Sequence, residues 1–193
     1  MLTTRDKKIL RWLEIYHAAT LKQISVIFFD GCYDSCRRRL KQLVEAGHLK
    51  TYNISYSKEK AFYFDKKLSE HDLIRYNLIK RLIELKCKIK KVETSVSLLN
   101  GLVKPDMYLE FAYNNKLYFV LVEVDYTHYT PNSKMQLYEK VFKDGELRCK
   151  CHGTFPIVIL SRASKNDLRY NSKNFKVVYT DYNFNDIENF LFV

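Results

Sequence analysis

The sequence predicts an α+β chain of two modules, the second of α/β character, and three observations carry that reading. Residues 1–91 hold 21 Lys and Arg against 10 Asp and Glu, while residues 92–193 hold 12 of each, so the net charge of +11 lies wholly in the first half. Helical apolar spacing dominates that first half and gives way to two short β-prone segments. In the second half β-prone apolar runs alternate with helical ones, as in layered α/β folds. The expected division is 1–67, helices with a hairpin; 68–91, a linker helix; and 92–193, the α/β module.

With 193 residues, 47% of them hydrophobic, the chain can form packed cores, which excludes wholesale disorder. No apolar run reaches bilayer length, and residues 1–8 lack a signal pattern, so a cytoplasmic location with no membrane partner is expected. In that compartment Cys32, Cys36, Cys87, Cys149 and Cys151 are expected as free thiols.

Thr3 or Thr4 can cap the first helix, with Ile9, Leu10, Leu13 and Tyr16 on one face. A second helix fits Leu21–Phe28, with Leu21, Ile24 and Phe28 inward, and Asp30-Gly31-Cys32 breaks it. A third runs from Tyr33 to Glu45, with Cys36, Leu40, Leu43 and Val44 toward the core and Arg37, Arg38, Arg39 and Lys41 on or beside the outer face. Gly47 can stop it in a left-handed cap. The segments 48–55 and 60–64 then form a hairpin around the tip Tyr56-Ser57-Lys58-Glu59.

Three helices followed by a hairpin is the order of a winged helix-turn-helix, whose third helix enters the major groove of duplex DNA. The expected DNA-binding residues are Tyr33, Ser35, Arg37, Arg38 and Lys41 on that helix, with Lys58 and Lys60 on the wing. Arg pairs bidentately with guanine, Ser and Tyr reach phosphates, and wing lysines follow the backbone. The plain alternative is a solvated face of an ordinary helix. The linker helix carries Leu73, Tyr76, Ile79, Ile83 and Cys87 on one stripe and a Ser69/Asp72 cap, and it offers a surface for a homodimer.

In the second module Met107–Tyr113 and Leu117–Val124 read as strands around an Asn114-Asn115-Lys116 turn. Phe155–Leu160 and Phe175–Tyr179 read as further strands, and Ser133–Lys143 and Asp186–Phe192 as helices. Asp106 opens the first strand, and Glu123 and Asp125, two apart, share one face of the second. Carboxylates converging at a sheet edge suit a hard cation such as Mg²⁺, which activates water and offsets charge on a phosphate. Solvated carboxylates that merely end a strand are the plain alternative.

Pro105-Asp106 and Glu123-Val124-Asp125 resemble the first two motifs of the PD-(D/E)xK nuclease superfamily, with Asp125 where that pattern has Lys. Over residues 4–180 the chain is similar to the replication-relaxation family of bacterial plasmids and integrative elements. The similarity rests on the helix-turn-helix, His71-Asp72-Leu73, Glu93, Pro105-Asp106, Glu123-Val124-Asp125 and Lys134-x-x-x-Tyr138. It implies a PD-(D/E)xK-like mixed sheet behind the winged helix. It also implies a role in plasmid replication, DNA relaxation or conjugative transfer, beside relaxosome or replication proteins. Asp106, Glu123, Asp125 and Lys134 become the candidate catalytic residues, and Asp106, Glu123 and Glu93 the candidate Mg²⁺ ligands, with Glu93 supplied from an upstream helix. A Mg²⁺-dependent endonuclease or nickase, an inactive binding scaffold, and a winged-helix transcriptional regulator whose second domain dimerises or binds a ligand all remain open.

Other signals lead nowhere. Cys149-Lys150-Cys151-His152 is short of the two spaced ligand pairs of a structural zinc site, so no zinc is expected. His128 near the carboxylates suits a surface group better than a general base. The sequence has neither a nucleophile elbow nor a phosphate-cradling Gly-rich loop.

Overall fold

Thr3 starts the first helix, α1 (Thr4–Tyr16), through a capping box: its hydroxyl accepts from Asp6 N and its own N–H donates to the Asp6 carboxylate. A computed structural model gives the architecture and describes residues 1–55, 57–163 and 170–192. Tyr56 of the expected hairpin tip lies outside the described residues. The chain divides into two compact units, residues 1–80 and 81–193.

In the first unit α1 is followed by β1 (Ala18–Thr20), α2 (Leu21–Phe29) and α3 (Tyr33–Glu45), then β2 (Lys50–Asn53) and β3 (Lys60–Tyr63). Thr20 and Gln23 form a second capping box at α2. Gly47 has φ +75°, and the His48 and Leu49 amides turn back to Leu43 O, closing α3 as expected. Strand β1 is not expected from the sequence, because three residues give no alternation to read. It pairs antiparallel with β3 and makes the hairpin a three-stranded sheet, order β1-β3-β2. The core joins Ile9 and Leu13 of α1, Ile24 and Phe29 of α2, Cys36, Leu40 and Leu43 of α3, and Phe62 of β3. Phe29 is buried where Phe28, the expected inward residue, is only partly so.

Helix α4 (Glu70–Glu84) is capped as expected, Ser69 Oγ accepting from Asp72 N at 3.1 Å. Residues 73–79 are buried right around the helix rather than along one stripe. Gln23 Nε2 donates to Leu73 O and to Asn77 Oδ1, both at 2.8 Å, and Tyr76 packs edge-on against Trp12 and Tyr16. Up to Lys80 this helix is therefore part of the first unit rather than a linker.

The second unit is a five-stranded mixed sheet, order β4-β5-β6-β7-β8: β4 (Lys88–Glu93), β5 (Met107–Tyr113), β6 (Lys116–Asp125), β7 (Ile157–Arg162) and β8 (Val177–Thr180). Strand β4 occupies most of the segment expected to end the linker. A bulge between Ile89 and Lys91 breaks its period-two pattern, so the run reads as polar in sequence. Asn114 and Asn115, at φ 47° and 62°, make a two-residue turn that sets Tyr113 opposite Lys116. Strands β6 and β7 are parallel and need a crossover, supplied by α5 (Asn132–Asp144). Met135, Tyr138 and Val141 of α5 pack with Tyr108, Phe119, Leu121 and Leu160 of the sheet. A four-residue helix, α6 (Glu188–Leu191), closes the chain where a longer one was expected. Among the described residues no helix is long and apolar enough to cross a membrane.

Candidate functional site

Each unit gathers charged residues in its own way. In the first, α3 and the β2–β3 hairpin enclose a cleft of about 800 Å³. It is lined by the apolar Leu21, Val44 and Phe62, by Thr51, by Tyr33 and the cations Arg37, Arg38, Lys41, Lys58 and Lys60, and by two acids, Glu45 and Glu59. Six of the seven expected DNA-binding residues thus converge on one cleft, built by a helix and the hairpin that follows it in sequence. Ser35, the seventh, is half-buried in the first turn of α3, its hydroxyl 3.2 Å from Cys32 Sγ. Among the described residues the ion pairs of these cations are loose: Arg37 to Asp34 and Lys41 to Glu45, each at 3.7 Å and well exposed. Such pairs contribute little and yield easily to a polyanion.

Arg39 differs from its neighbours. It donates to both oxygens of the buried Asp6, at 2.9 and 2.6 Å, and ties α3 to α1. That guanidinium holds the Asp6 carboxyl well below the usual carboxylate range.

In the second unit Asp106 precedes β5, and its Oδ2 accepts from Val124 N at 2.7 Å. Hairpin pairing places it beside the end of β6, as expected. Glu123 is 2% exposed and fully engaged: Oε1 accepts from Tyr138 Oη at 2.5 Å, and Oε2 from Lys134 Nζ at 2.7 Å. Lys134 and Tyr138 are four apart and so share a face of α5. The Lys134 ammonium also donates to Lys104 O at 3.1 Å. Burial raises the Glu123 carboxyl to about 7; the Lys134 charge opposes this and the Asp106 charge adds to it. Tyr138 is pushed up as well, by burial and by the Glu123 charge.

Asp125 stands in a separate network. Its Oδ2 accepts from Arg162 Nη2 at 2.5 Å and its Oδ1 from Thr130 N and Oγ1, each at 2.7 Å. Parallel register sets Asp125 directly opposite Arg162, and both are nearly inaccessible. Sequence reasoning misses Arg162; the only signal is a cation closing the apolar run of β7.

Glu93 ends a strand rather than a helix, which corrects the expectation of an upstream helical acid. Its oxygens are taken by Lys91 at 2.6 Å and Lys150 at 2.5 Å. His128, Cys149 and His152 are exposed, and all five cysteines are free. Among the described residues no three His, Cys, Asp or Glu side chains cluster as metal ligands.

No family model, curated protein or solved structure matches the chain. The chemistry of the site must therefore be read from its geometry. Three oxygen groups lie in this region: the Glu123 carboxylate and the Lys104 carbonyl, which share the Lys134 ammonium, and Asp106, whose charge acts on Glu123. A positive charge is thus accommodated between Glu123 and the Lys104 carbonyl, and oxygen groups of this kind are those Mg²⁺ takes.

Proposed function

We propose that the protein binds duplex DNA through a winged helix-turn-helix in its first unit and presents a PD-(D/E)xK-like carboxylate site in its second. It would act in the replication, relaxation or transfer of a bacterial mobile element, as the resemblance to the replication-relaxation family implies. The observation that carries the DNA reading is the shared cleft of α3 and the hairpin. Arg37 and Arg38 lie on a helix where major-groove contacts are made, and Lys58 and Lys60 are on the wing beside it. The antiparallel β4-β5-β6 run joined through α5 to a parallel β7 supports the nuclease-like reading of the second unit.

In that site Asp106, Glu123 and the Lys104 carbonyl would hold Mg²⁺. Bound there, the ion supplies Lewis-acid polarisation of a phosphodiester and a water of lowered pKa. Tyr138 fixes the orientation of Glu123 by donating to one oxygen. Lys134, released from the other, keeps an ammonium near a phosphate. Asp125 contributes by holding β6 to β7 through Arg162 rather than by touching the reacting atoms.

A second reading, a transcriptional regulator with a non-catalytic second unit, is favoured by one observation: both Glu123 oxygens are already bonded within the protein. Nicking of supercoiled plasmid with Mg²⁺ or Mn²⁺ separates the two. Metal-dependent nicking by the wild type, lost in a folded Glu123→Ala variant, supports the enzyme. Binding of duplex without nicking supports the regulator. Failure of the wild type to bind duplex in low salt would sink both.

A further inference from the structure

The loop that leads into Asp106 has an unusual build. Leu99, Asn100 and Gly101 are three consecutive residues in left-handed conformation, at φ 49°, 55° and 93°. A leucine there is strained, and such strain persists only where surrounding structure fixes it. Here the fixing is visible. Leu98 and Val103 exchange backbone hydrogen bonds at 2.9 and 3.2 Å, and both side chains are buried. Leu99 N donates to the Glu146 carboxylate at 2.8 Å. The loop thus has buried feet and a rigid crown.

That crown exposes Leu102 to 69%, more than any large apolar side chain in the described residues except the terminal Met1. A rigid loop that holds a leucine in water invites a ligand for it. The surroundings are cationic. Lys140 and Lys143 of α5 line the same depression of about 520 Å³ as Leu102, with Asp144 the acid beside them. Lys104 folds back so that its Cε lies 4.0 Å from where a Cβ on Gly101 would stand. The depression itself sets two ammonium groups against one carboxylate, and with Lys104 and Glu146 of the loop's surroundings counted the balance stays positive, which favours an anion. An apolar wedge between cations is the make-up of side chains that enter a DNA groove while their neighbours hold phosphates.

The loop is also wired to the carboxylate site. Lys104 O accepts from the same Lys134 ammonium that holds Glu123, and Asp106 follows two residues later. We propose that the 98–103 loop is a second DNA contact, with Leu102 against the groove and Lys104, Lys140 and Lys143 on phosphates, and that it seats the strand beside Asp106 and Glu123. This rests on the DNA-binding reading above, but it assigns a surface in the other unit.

A photo-crosslinking amino acid, p-benzoylphenylalanine, placed in the full chain at Leu102 and separately at Tyr33 tests it. The probe is a linear plasmid fragment in low salt. DNA adducts from both positions are expected. Adducts from Tyr33 alone would overturn the loop proposal and leave the α3 cleft standing. Adducts from Leu102 alone would support the loop and sink the cleft. Neither adduct would sink both, and a protein–protein adduct from Leu102 in place of DNA would overturn the DNA contact and assign the loop to a second copy. Adding K140E and K143E should lower the Leu102 adduct yield about tenfold through lost phosphate contacts, with the Tyr33 yield little changed. An unchanged Leu102 yield in that variant would likewise overturn the proposal.

Discussion

The α3 cleft of the first unit and the β5–β6–α5 site of the second both collect charge, yet they dispose of it in opposite ways. The cleft exposes cations whose acidic partners are loosely held and solvated, so they are at hand for something outside the protein. The second site buries acids and gives their oxygens partners within the fold: Lys134 and Tyr138 for Glu123, Arg162 and Thr130 for Asp125. Exposed charge with an excess of one sign suits binding, because desolvation is deferred until a polyanion arrives. Buried charge is first a problem of the fold, and its chemistry depends on how that problem is solved.

The largest expected effect follows from the Asp125–Arg162 pair. Removing one partner of a buried pair leaves an uncompensated charge, so Arg162→Leu should cost about 3–5 kcal/mol in urea unfolding. Adding Asp125→Asn should restore part of that loss. A cost below about 1 kcal/mol would mean that the pair is not a buried charge pair in solution and would erase the contrast between the units.

The units should also respond to pH in opposite directions. Folding raises the Glu123 carboxyl from 4.5 to about 7, so its ionisation opposes the fold. The contribution of this group is therefore fully present below pH 4.5 and is lost as pH rises to 7. The loss is on the order of 3 kcal/mol, since each tenfold change in an acid's ionisation constant corresponds to about 1.4 kcal/mol. Asp6 in the first unit is lowered by Arg39, so its contribution is present at neutral pH and is lost in acid. Hydrogen exchange at β6 amides, corrected for intrinsic rates, should show the first effect and Trp12 fluorescence the second. Glu123→Gln should flatten the response at β6 alone. A β6 response that persists in Glu123→Gln would assign the titration to another group.

For the cleft, Arg37→Ala with Arg38→Ala should weaken duplex binding about 100-fold and reduce the salt slope by about 2. Fluorescence anisotropy across a salt series measures both. Unchanged binding would return these arginines to an ordinary solvated helix face.

How far the sequence reveals this comparison depends on the range of the interactions involved. Helix α3, its Gly47 stop, the Thr3 and Ser69 caps and the Asn114-Asn115 turn are local and legible, because caps and turns have residue-specific chemistry within a few positions. The pairing of β5 with β6, which brings Asp106 to the end of Glu123's strand, is legible because a two-residue turn dictates register. Strand β1 is too short to show alternation, and β4 carries a bulge that hides it. The pairing of Arg162 with Asp125 is invisible because parallel register across a crossover has no sequence signal. Adjacency groups Arg39 with Arg37 and Arg38, although the helix turns it toward Asp6, 33 residues earlier.

The smallest expected effect divides the cleft itself. Lys58 and Lys60 sit on the hairpin, where on the proposed reading a cation meets backbone rather than bases and contributes through counterion release alone. Lys58→Ala should weaken binding only about threefold, uniformly across DNA sequences, and lower the salt slope by about 1. Arg38→Ala should instead reduce the preference for the target over random duplex, because a guanidinium paired with guanine is worth about 1–3 kcal/mol of discrimination. Competition anisotropy with target and random duplexes at fixed salt distinguishes the two. If Lys58→Ala also erases sequence preference, the wing reads bases, and the division between a reading helix and a gripping hairpin fails.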